Sequence, residues 1–335
     1  MPYNTILVGI SSCLLGEKVR YDGGHKLNNY LSDTLGKVFT FRSFCPEVDI
    51  GLGTPRETIK LVQLDRLDRL DRFDRLDKEI RCVGTKTSSL DVTDALIKSA
   101  HNQAYWHQDL CGYIFKKGSP SCGPSGVKLY GLDANKPEQY QLKGQGINAK
   151  KLSENCPQLP IEDEERLGNP EIRDNFIKRI YIYRHWKTLN KEGLDIDQLK
   201  SFHLQYDDIL ISHHEHRADN LTTQLNERQG EAIEPLSRWY FTEMMSILTL
   251  IATPENHYKV MSALLSLLSD SMLKIDTDEL DEILNSYLEK RLPLLVPITL
   301  LAHHFRHFLA KQTNPEIAVR IRHSKYIFPD LTEMM

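Results

Sequence analysis

The run Cys111-Gly112-Tyr113-Ile114-Phe115-Lys116-Lys117-Gly118-Ser119-Pro120-Ser121-Cys122-Gly123-Pro124-Ser125-Gly126 decides how the first half of the chain folds. It opens as a short, largely apolar strand. The glycines, prolines and serines that follow resist regular structure, so the run ends a strand and exposes a thiol. Cys122 would then project from a strand's carboxyl end into a crevice. Two other cysteines arrive in the same way. Cys13 ends Ile6-Leu7-Val8-Gly9-Ile10-Ser11-Ser12, and Cys45 ends Val38-Phe39-Thr40-Phe41-Arg42-Ser43-Phe44, each apolar enough for a buried strand.

Outward from these runs, the first half alternates short apolar strands with helical segments, the pattern of an α/β layer structure with a mostly parallel sheet flanked by helices. Tyr21-Asp22-Gly23-Gly24-His25 reads as a turn, followed by a helix from about Leu27 to Leu35. Cys45-Pro46-Glu47-Val48-Asp49 leads into another loop, Gly51-Leu52-Gly53-Thr54-Pro55-Arg56-Glu57, and Glu79 to Val83 is a further strand. Asp91-Val92-Thr93-Asp94 can cap a helix that turns Ala95, Leu96, Ile97, Ala100 and Tyr105 toward the sheet. The period-three repeat Leu64 to Asp77, in which Asp and Arg nearly cancel, reads as an exposed excursion.

The chain has 335 residues, which suits two domains, because single cores seldom exceed about 250–300 residues. Composition turns to linker around Asn155-Cys156-Pro157-Gln158-Leu159-Pro160. The expected division is therefore 1–160 for an α/β domain and 161–335 for an all-α domain, whose amphipathic segments begin at Asn169-Pro170-Glu171. A net charge of −4 excludes a uniformly basic nucleic-acid binder and leaves room for a local basic face. The N-terminus lacks the pattern of a signal peptide, and the most apolar later stretches are too short to span a bilayer, so a cytoplasmic protein without membrane attachment is expected. Six cysteines in such a chain suggest metal binding or catalysis for any that cluster, rather than a disulfide framework.

Three thiolates at one sheet edge can hold a soft metal or an iron–sulfur cluster. Cys13, Cys45 and Cys122 are far apart in sequence, so spacing alone leaves open whether they share a site or are separate buried thiols. Cys82 and Cys111 lie inside strands and read as core thiols; Cys156 falls in the linker.

The ordered set Ser11-Ser12-Cys13-Leu14-Leu15-Gly16, Tyr21-Asp22-Gly23, Cys45-Pro46-Glu47, Gly51-Leu52-Gly53-Thr54-Pro55-Arg56-Glu57 and Ser119-Pro120-Ser121-Cys122-Gly123 resembles the thiouracil desulfidase family, over about residues 3–155. The remainder, with Arg173-Asp174-Asn175-Phe176-Ile177, Phe202-His203 and Leu292-Pro293-Leu294-Leu295-Val296-Pro297, resembles the YbgA-like helical domain. The fusion is similar to bacterial desulfidases that remove sulfur from 4-thiouridine in transfer RNA. The resemblance implies a [4Fe-4S] cluster on Cys13, Cys45 and Cys122, with one iron left open for the substrate's sulfur, and a non-redox hydrolysis that releases sulfide. It further implies Glu47 as general acid/base and Ser119 as the residue that orients the water or the base edge, with Ser121 the alternative, although either serine could be turn chemistry. Asp22 and Arg56 would bind substrate, Arg56 toward a phosphate, or serve as turn-former and salt-bridge partner.

In the second domain the pairs His303 and His307, and His213 and His216, have helical spacing but no acidic residue suitably placed to complete a metal site, and helix packing or RNA contact is the plainer reading. Between Lys290 and Lys325, Lys290, Arg291, Arg306, Lys311, Arg320, Arg322 and Lys325 face one acid, Glu316. A second basic group, Arg173, Lys178, Arg179, Arg184, Lys187 and Lys191, is interleaved with Tyr181, Tyr183 and Trp186. Such groups can neutralise phosphates and stack on unpaired bases, or form a solvated helix face. With the desulfidase resemblance they make transfer RNA the expected partner, and no protein partner is called for. Two rivals stand beside this reading: a desulfidase of free thiopyrimidine bases or nucleotides, and a non-catalytic RNA-binding protein with structural zinc, for which three cysteines fall one short of the usual four ligands.

Overall fold

A computed structural model describes residues 6–64, 79–87, 89–131, 139–268, 272–311 and 315–329. The repeat at 64–77 lies, apart from Leu64, outside the described residues. The chain forms two compact units: residues up to Phe176 together with Ile180–Arg184, and Ile177–Arg179 together with His185 onward.

The first unit is built on strands β1 (Ile6–Ser11) and β2 (Phe39–Phe44), the short helix α1 (Pro46–Asp49), strands β3 (Ile59–Leu64) and β4 (Glu79–Gly84), and helix α2 (Thr93–His107). Strands β5 (Gly112–Phe115), β6 (Val127–Tyr130) and β7 (Tyr140–Gly144), helix α3 (Ile147–Asn155) and strand β8 (Ile161–Asp163) complete it. The order β2-β1-β5-β8 makes a parallel sheet. β1 is buried almost throughout, as its unbroken apolar run requires of a central parallel strand. Residue 161 is paired into this sheet through β8, opposite Tyr113, so the sheet runs past the boundary expected at 160/161.

A second sheet, β4-β3-β6-β7, combines a parallel β3–β6 pair with antiparallel partners at both edges. It covers a core of Leu61, Cys82, Leu96, Val127, Leu129 and Ile147. Asp91, one residue before the N-cap Val92 of α2, accepts hydrogen bonds from the Thr93 N–H at 2.9 Å and the Thr93 hydroxyl at 2.7 Å. Leu96 and Ala100 face inward as expected, but Ala95 is exposed and Tyr105 is 70% exposed, while Trp106 takes the buried position. The helix expected over Leu27–Leu35 is a five-residue π turn, Tyr30–Thr34, followed by the 3-10 turn Leu35–Lys37.

The helical segments are α4 (Pro170–Glu192), α5 (Ile196–Glu227), α6 (Ile233–Leu248), α7 (Pro254–Leu268), α8 (Lys274–Leu288), α9 (Leu295–Lys311) and α10 (Pro315–His323). Asn169 caps α4 through its side-chain oxygen, which accepts from the N–H of Glu171 at 2.8 Å. Asp195 and Gln198 form a reciprocal capping box at the start of α5, which kinks where His214 leaves helical geometry. Aromatic packing fills this unit. Trp186 stacks on Phe241 with centroids 4.4 Å apart, and Phe202, Tyr206 and Tyr240 close around them. Among the described residues, no helix is long and apolar enough to cross a membrane.

Candidate active site

Parallel pairing does the first work of assembly. Ser11 lies opposite Phe44, and Ile10 lies opposite both Ser43 and Ile114, so β1, β2 and β5 end at one edge. That edge of an open parallel sheet is where ligands generally bind. Cys13 sits two residues past β1 in a short 3-10 turn, Cys45 follows β2 directly, and Cys122 lies in the loop after β5. All three line one cavity of about 360 Å³, together with Glu47, Arg56 and Ser119.

The Cys122 loop is held from behind by α3. Pro120 and Ser121 offer their carbonyls to the first-turn N–H groups of Ile147 and Asn148, at 3.1 and 2.9 Å, which satisfies donors that a helix start leaves open. Gly146 sits so close that a Cβ there would lie 2.6 Å from the Ser121 carbonyl carbon and 2.8 Å from the Cys122 nitrogen. Within the loop, the Ser119 hydroxyl oxygen accepts from the N–H of Ser121 at 3.3 Å and of Cys122 at 3.2 Å. Ser119 is thus a turn-former as well as a cavity residue.

Glu47, in the first turn of α1, is fixed from two sides. Arg56 donates to Oε2 through Nε at 2.9 Å and Nη2 at 2.7 Å. Ser121 donates to Oε1 at 2.5 Å, and the Ser119 and Ser121 hydroxyls are 2.9 Å apart. A continuous hydroxyl path therefore runs from the cavity, through Ser119 and Ser121, to the carboxylate. The Ser121 hydroxyl also stands 3.6 Å from the Cys122 sulfur.

Of the two loop residues with alternative readings, Arg56 makes the salt bridge: its side chain, on the cavity wall, is 6% exposed, and besides Glu47 it donates to the carbonyls of Gly53 at 2.7 Å and Val19 at 2.9 Å. It is a salt-bridge partner that positions Glu47. Asp22 is absent from the cavity wall; half-exposed, it accepts from the Gly24 N–H at 3.0 Å and shapes the turn, and that hydrogen bond holds its carboxyl below the usual carboxylate range. The cavity wall instead includes Arg20, Lys26, Lys116 and Lys117. Of these, Lys116 and Lys117 precede the cysteine loop directly and pair with Glu164 and Glu165. Their place beside the motif was the available signal.

The thiols sense one another. Burial, and then the charge of Cys45, push the Cys13 thiol up to about 11; burial also raises Cys45. Cys122 is raised by burial, then by Cys45 and Glu47. Three soft donors so placed resist ionising together unless positive charge enters among them, which is the donor set that a cationic metal assembly satisfies. Among the described residues, no three or more His, Cys, Asp or Glu side chains are grouped to hold a single metal ion. Cys82 and Cys111 are buried core thiols as expected.

A serine-braced carboxylate and three strand-end thiols thus put a proton-handling group and soft metal donors on one cavity of an α/β unit. Sequence comparison agrees: residues 8–164 match the 2-thiouracil desulfurase family, and residues 209–314 match a family described as a protein of unknown function, DUF1722. Among solved structures, a [4Fe-4S]-dependent thiouracil desulfidase, TudS, is similar at 30% identity, covering 49% of this chain and 93% of that chain, with a TM-score of 0.35. Residues 8–164 carry the likeness to the 2-thiouracil desulfurase family. No curated protein matches it.

Proposed function

We propose that the protein is an iron–sulfur desulfidase that removes the sulfur of 4-thiouridine in transfer RNA, with Cys13, Cys45 and Cys122 holding a [4Fe-4S] cluster. One observation carries the reading: the three cysteines and Glu47 line the same cavity. When bound, the cluster supplies an iron without a protein ligand, a Lewis acid matched to thiocarbonyl sulfur.

The protein's own residues handle water and protons. Net exchange of C=S for C=O consumes one water, releases hydrogen sulfide and moves no electrons. Ser119, on the cavity wall, orients the attacking water. Its proton passes through the Ser119 and Ser121 hydroxyls to Glu47 Oε1, the oxygen left clear by Arg56, which engages Oε2. The same oxygen returns a proton to the departing sulfur.

The helical unit supports an RNA substrate in part. On α9, His303, Arg306 and His307 are exposed and the helix carries no acid before Lys311; on α10, Arg322 and His323 are exposed. His303 and His307 have ring centroids 4.7 Å apart. Other expected contributors are committed elsewhere. Arg320 pairs with buried Asp208 at 2.8 Å, and Trp186 and Tyr181 are core residues rather than stacking platforms for bases.

Anaerobic purification followed by metal and labile-sulfide analysis tests the cluster; iron with sulfide is expected, and zinc without iron would refute it. Sulfide release from thiolated transfer RNA, compared with 4-thiouridine 5′-monophosphate and 4-thiouracil, tests the substrate. Turnover of the small molecules with none on RNA would refute the RNA assignment.

A further inference from the structure

We infer that the seam between α5 and α6 of the helical unit is a guanine-binding site: Arg217 and Glu243 receive the Watson–Crick edge of a guanine base, free or within RNA, and Trp239 its ring. The inference goes beyond the desulfidase reading and uses none of the residues of the cysteine-lined cavity.

Helical spacing gathers the residues. Arg217, Asn220, Leu221 and Gln224 recur every three or four positions on one face of α5, and Trp239 and Glu243 stand four apart on α6. Together they line a cavity of about 300 Å³, at the small end of ligand-binding clefts. Leu221 is buried, and the half-buried indole of Trp239 is held in place: the Arg228 guanidinium lies 4.1 Å from its centroid and is itself clamped on Glu231 by hydrogen bonds of 2.8 and 2.9 Å. Arg228 is not on the cavity wall, so the indole meets the cavity with surface that this guanidinium leaves open.

The polar groups on this wall keep most of their hydrogen-bonding capacity. Arg217 gives Nη2 to the Ser246 hydroxyl at 2.9 Å, while its Nε and Nη1 have no partner among the described residues. Glu243 stands 3.6 Å from Arg217 Nη2, near enough to balance its charge but too far to hydrogen-bond, so both carboxylate oxygens can accept. The carboxamides of Asn220 and Gln224 and the indole N–H of Trp239 have no hydrogen-bond partner among the described residues either. One cation beside one anion leaves the wall without net charge, which disfavours a phosphate or a metal ion and favours a neutral ring that carries donors and acceptors. Arg217 calls for an acceptor, and Glu243, with two oxygens, for two adjacent N–H donors. Among the four RNA bases, guanine alone sets an oxygen acceptor next to two N–H donors, O6 beside N1–H and the 2-amino group. The indole supplies a stacking surface, and the two carboxamides, each both donor and acceptor, remain for N7, N3 or the ribose.

The test is equilibrium binding to the anaerobically reconstituted full chain, by calorimetry, of the 5′-monophosphates of guanosine, adenosine, cytidine, uridine and inosine, and of the pentaribonucleotides UUGUU and UUAUU. Holding the phosphates constant within each set isolates the base. We expect guanosine monophosphate to bind about tenfold or more tightly than the adenosine, cytidine and uridine compounds, and about threefold or more tightly than inosine monophosphate, which lacks the 2-amino donor. Glu243→Gln keeps the shape and should narrow the guanine-to-adenine ratio to about threefold or less, with the unfolding midpoint and iron content unchanged. Trp106 and Trp186 are buried, so binding should quench tryptophan emission in the unaltered chain and not in Trp239→Phe. A guanine preference between the pentamers assigns the ligand to an unpaired base of RNA, and one confined to the monophosphates assigns it to a free nucleotide; either supports the site. Equal affinity across the bases in both sets would overturn it, as would a guanine preference that Glu243→Gln leaves intact, since guanine would then bind elsewhere.

Discussion

Glu47 is held on opposite oxygens, by Arg56 on Oε2 and by Ser121 and Ser119 on Oε1, and in the proposed reaction that bracing aims Oε1 at the proton path. Glu47→Gln keeps the shape and loses the base, so kcat should fall about 10²- to 10⁴-fold with iron content retained. Ser121→Ala breaks the 2.5 Å contact on Oε1 and should lower kcat more than it raises KM. Arg56→Ala leaves the carboxylate without its cation in a half-buried place and should cost about 3 kcal/mol of stability in denaturant unfolding, besides activity. These residues differ in how readable they were. Cysteines at the ends of apolar runs, and a glutamate two positions past one of them, are visible because local sequence sets a strand's end. Arg56 was visible only as a charged residue in a glycine loop; that it pairs with Glu47 follows from how the turn at Gly51 and Gly53 folds back.

Among the elements, α3 decides the position of Cys122. Gly146→Ala would drive a methyl into the Ser121–Cys122 backbone, so the variant should fold less stably and retain less iron after reconstitution than Gly168→Ala, where an added Cβ meets nothing within 4 Å. The second sheet was less legible than the first. β3 and β4 were readable as apolar runs, but their antiparallel pairing is a tertiary choice that hydrophobic periodicity does not encode. On α4 the interleaved aromatics looked like RNA platforms, yet Trp186 buries its ring against Phe241 because a helix with apolar residues on several sides is being covered, not displayed. The buried imidazoles of α5 and α7 set a pH dependence. Burial lowers His203 to about 4, and His213 and His257 to about 3, so the folded state keeps them neutral while the unfolded chain binds protons near the ordinary histidine range. Stability is therefore lost as pH falls below about 6.5, at about 1.4 kcal/mol per pH unit for each such proton. Asp207, raised to about 6 by burial and by Asp208, acts oppositely: the folded state holds its proton, and acidification between 6 and 4 favours folding. Three histidines outweigh one aspartate, so the urea midpoint followed by far-ultraviolet circular dichroism should drop from pH 7 to pH 5.

For the whole molecule, the two-part organisation was evident from the shift between short apolar runs and long amphipathic ones. The exact division was not, because β8 is three residues long and is recruited to the sheet by pairing with β5 rather than by its own pattern. The proposed RNA substrate assigns the thiolated ring to the cavity of the first unit and the RNA backbone to the exposed His303, Arg306, His307 and Arg322 of the helical one. Retention of transfer RNA should then weaken steeply as salt rises, and Arg306→Ala with Arg322→Ala should make that dependence shallower by about one to two released counterions. The central claim, that three cysteines and a braced glutamate form a desulfidase site, is tested most directly by sulfide release from thiolated transfer RNA by anaerobically reconstituted protein, beside Cys122→Ala and Glu47→Ala. Sulfide in stoichiometric or greater amount from the unaltered chain, with little from either variant, is the predicted result; equal release from all three, or none from any, would contradict it.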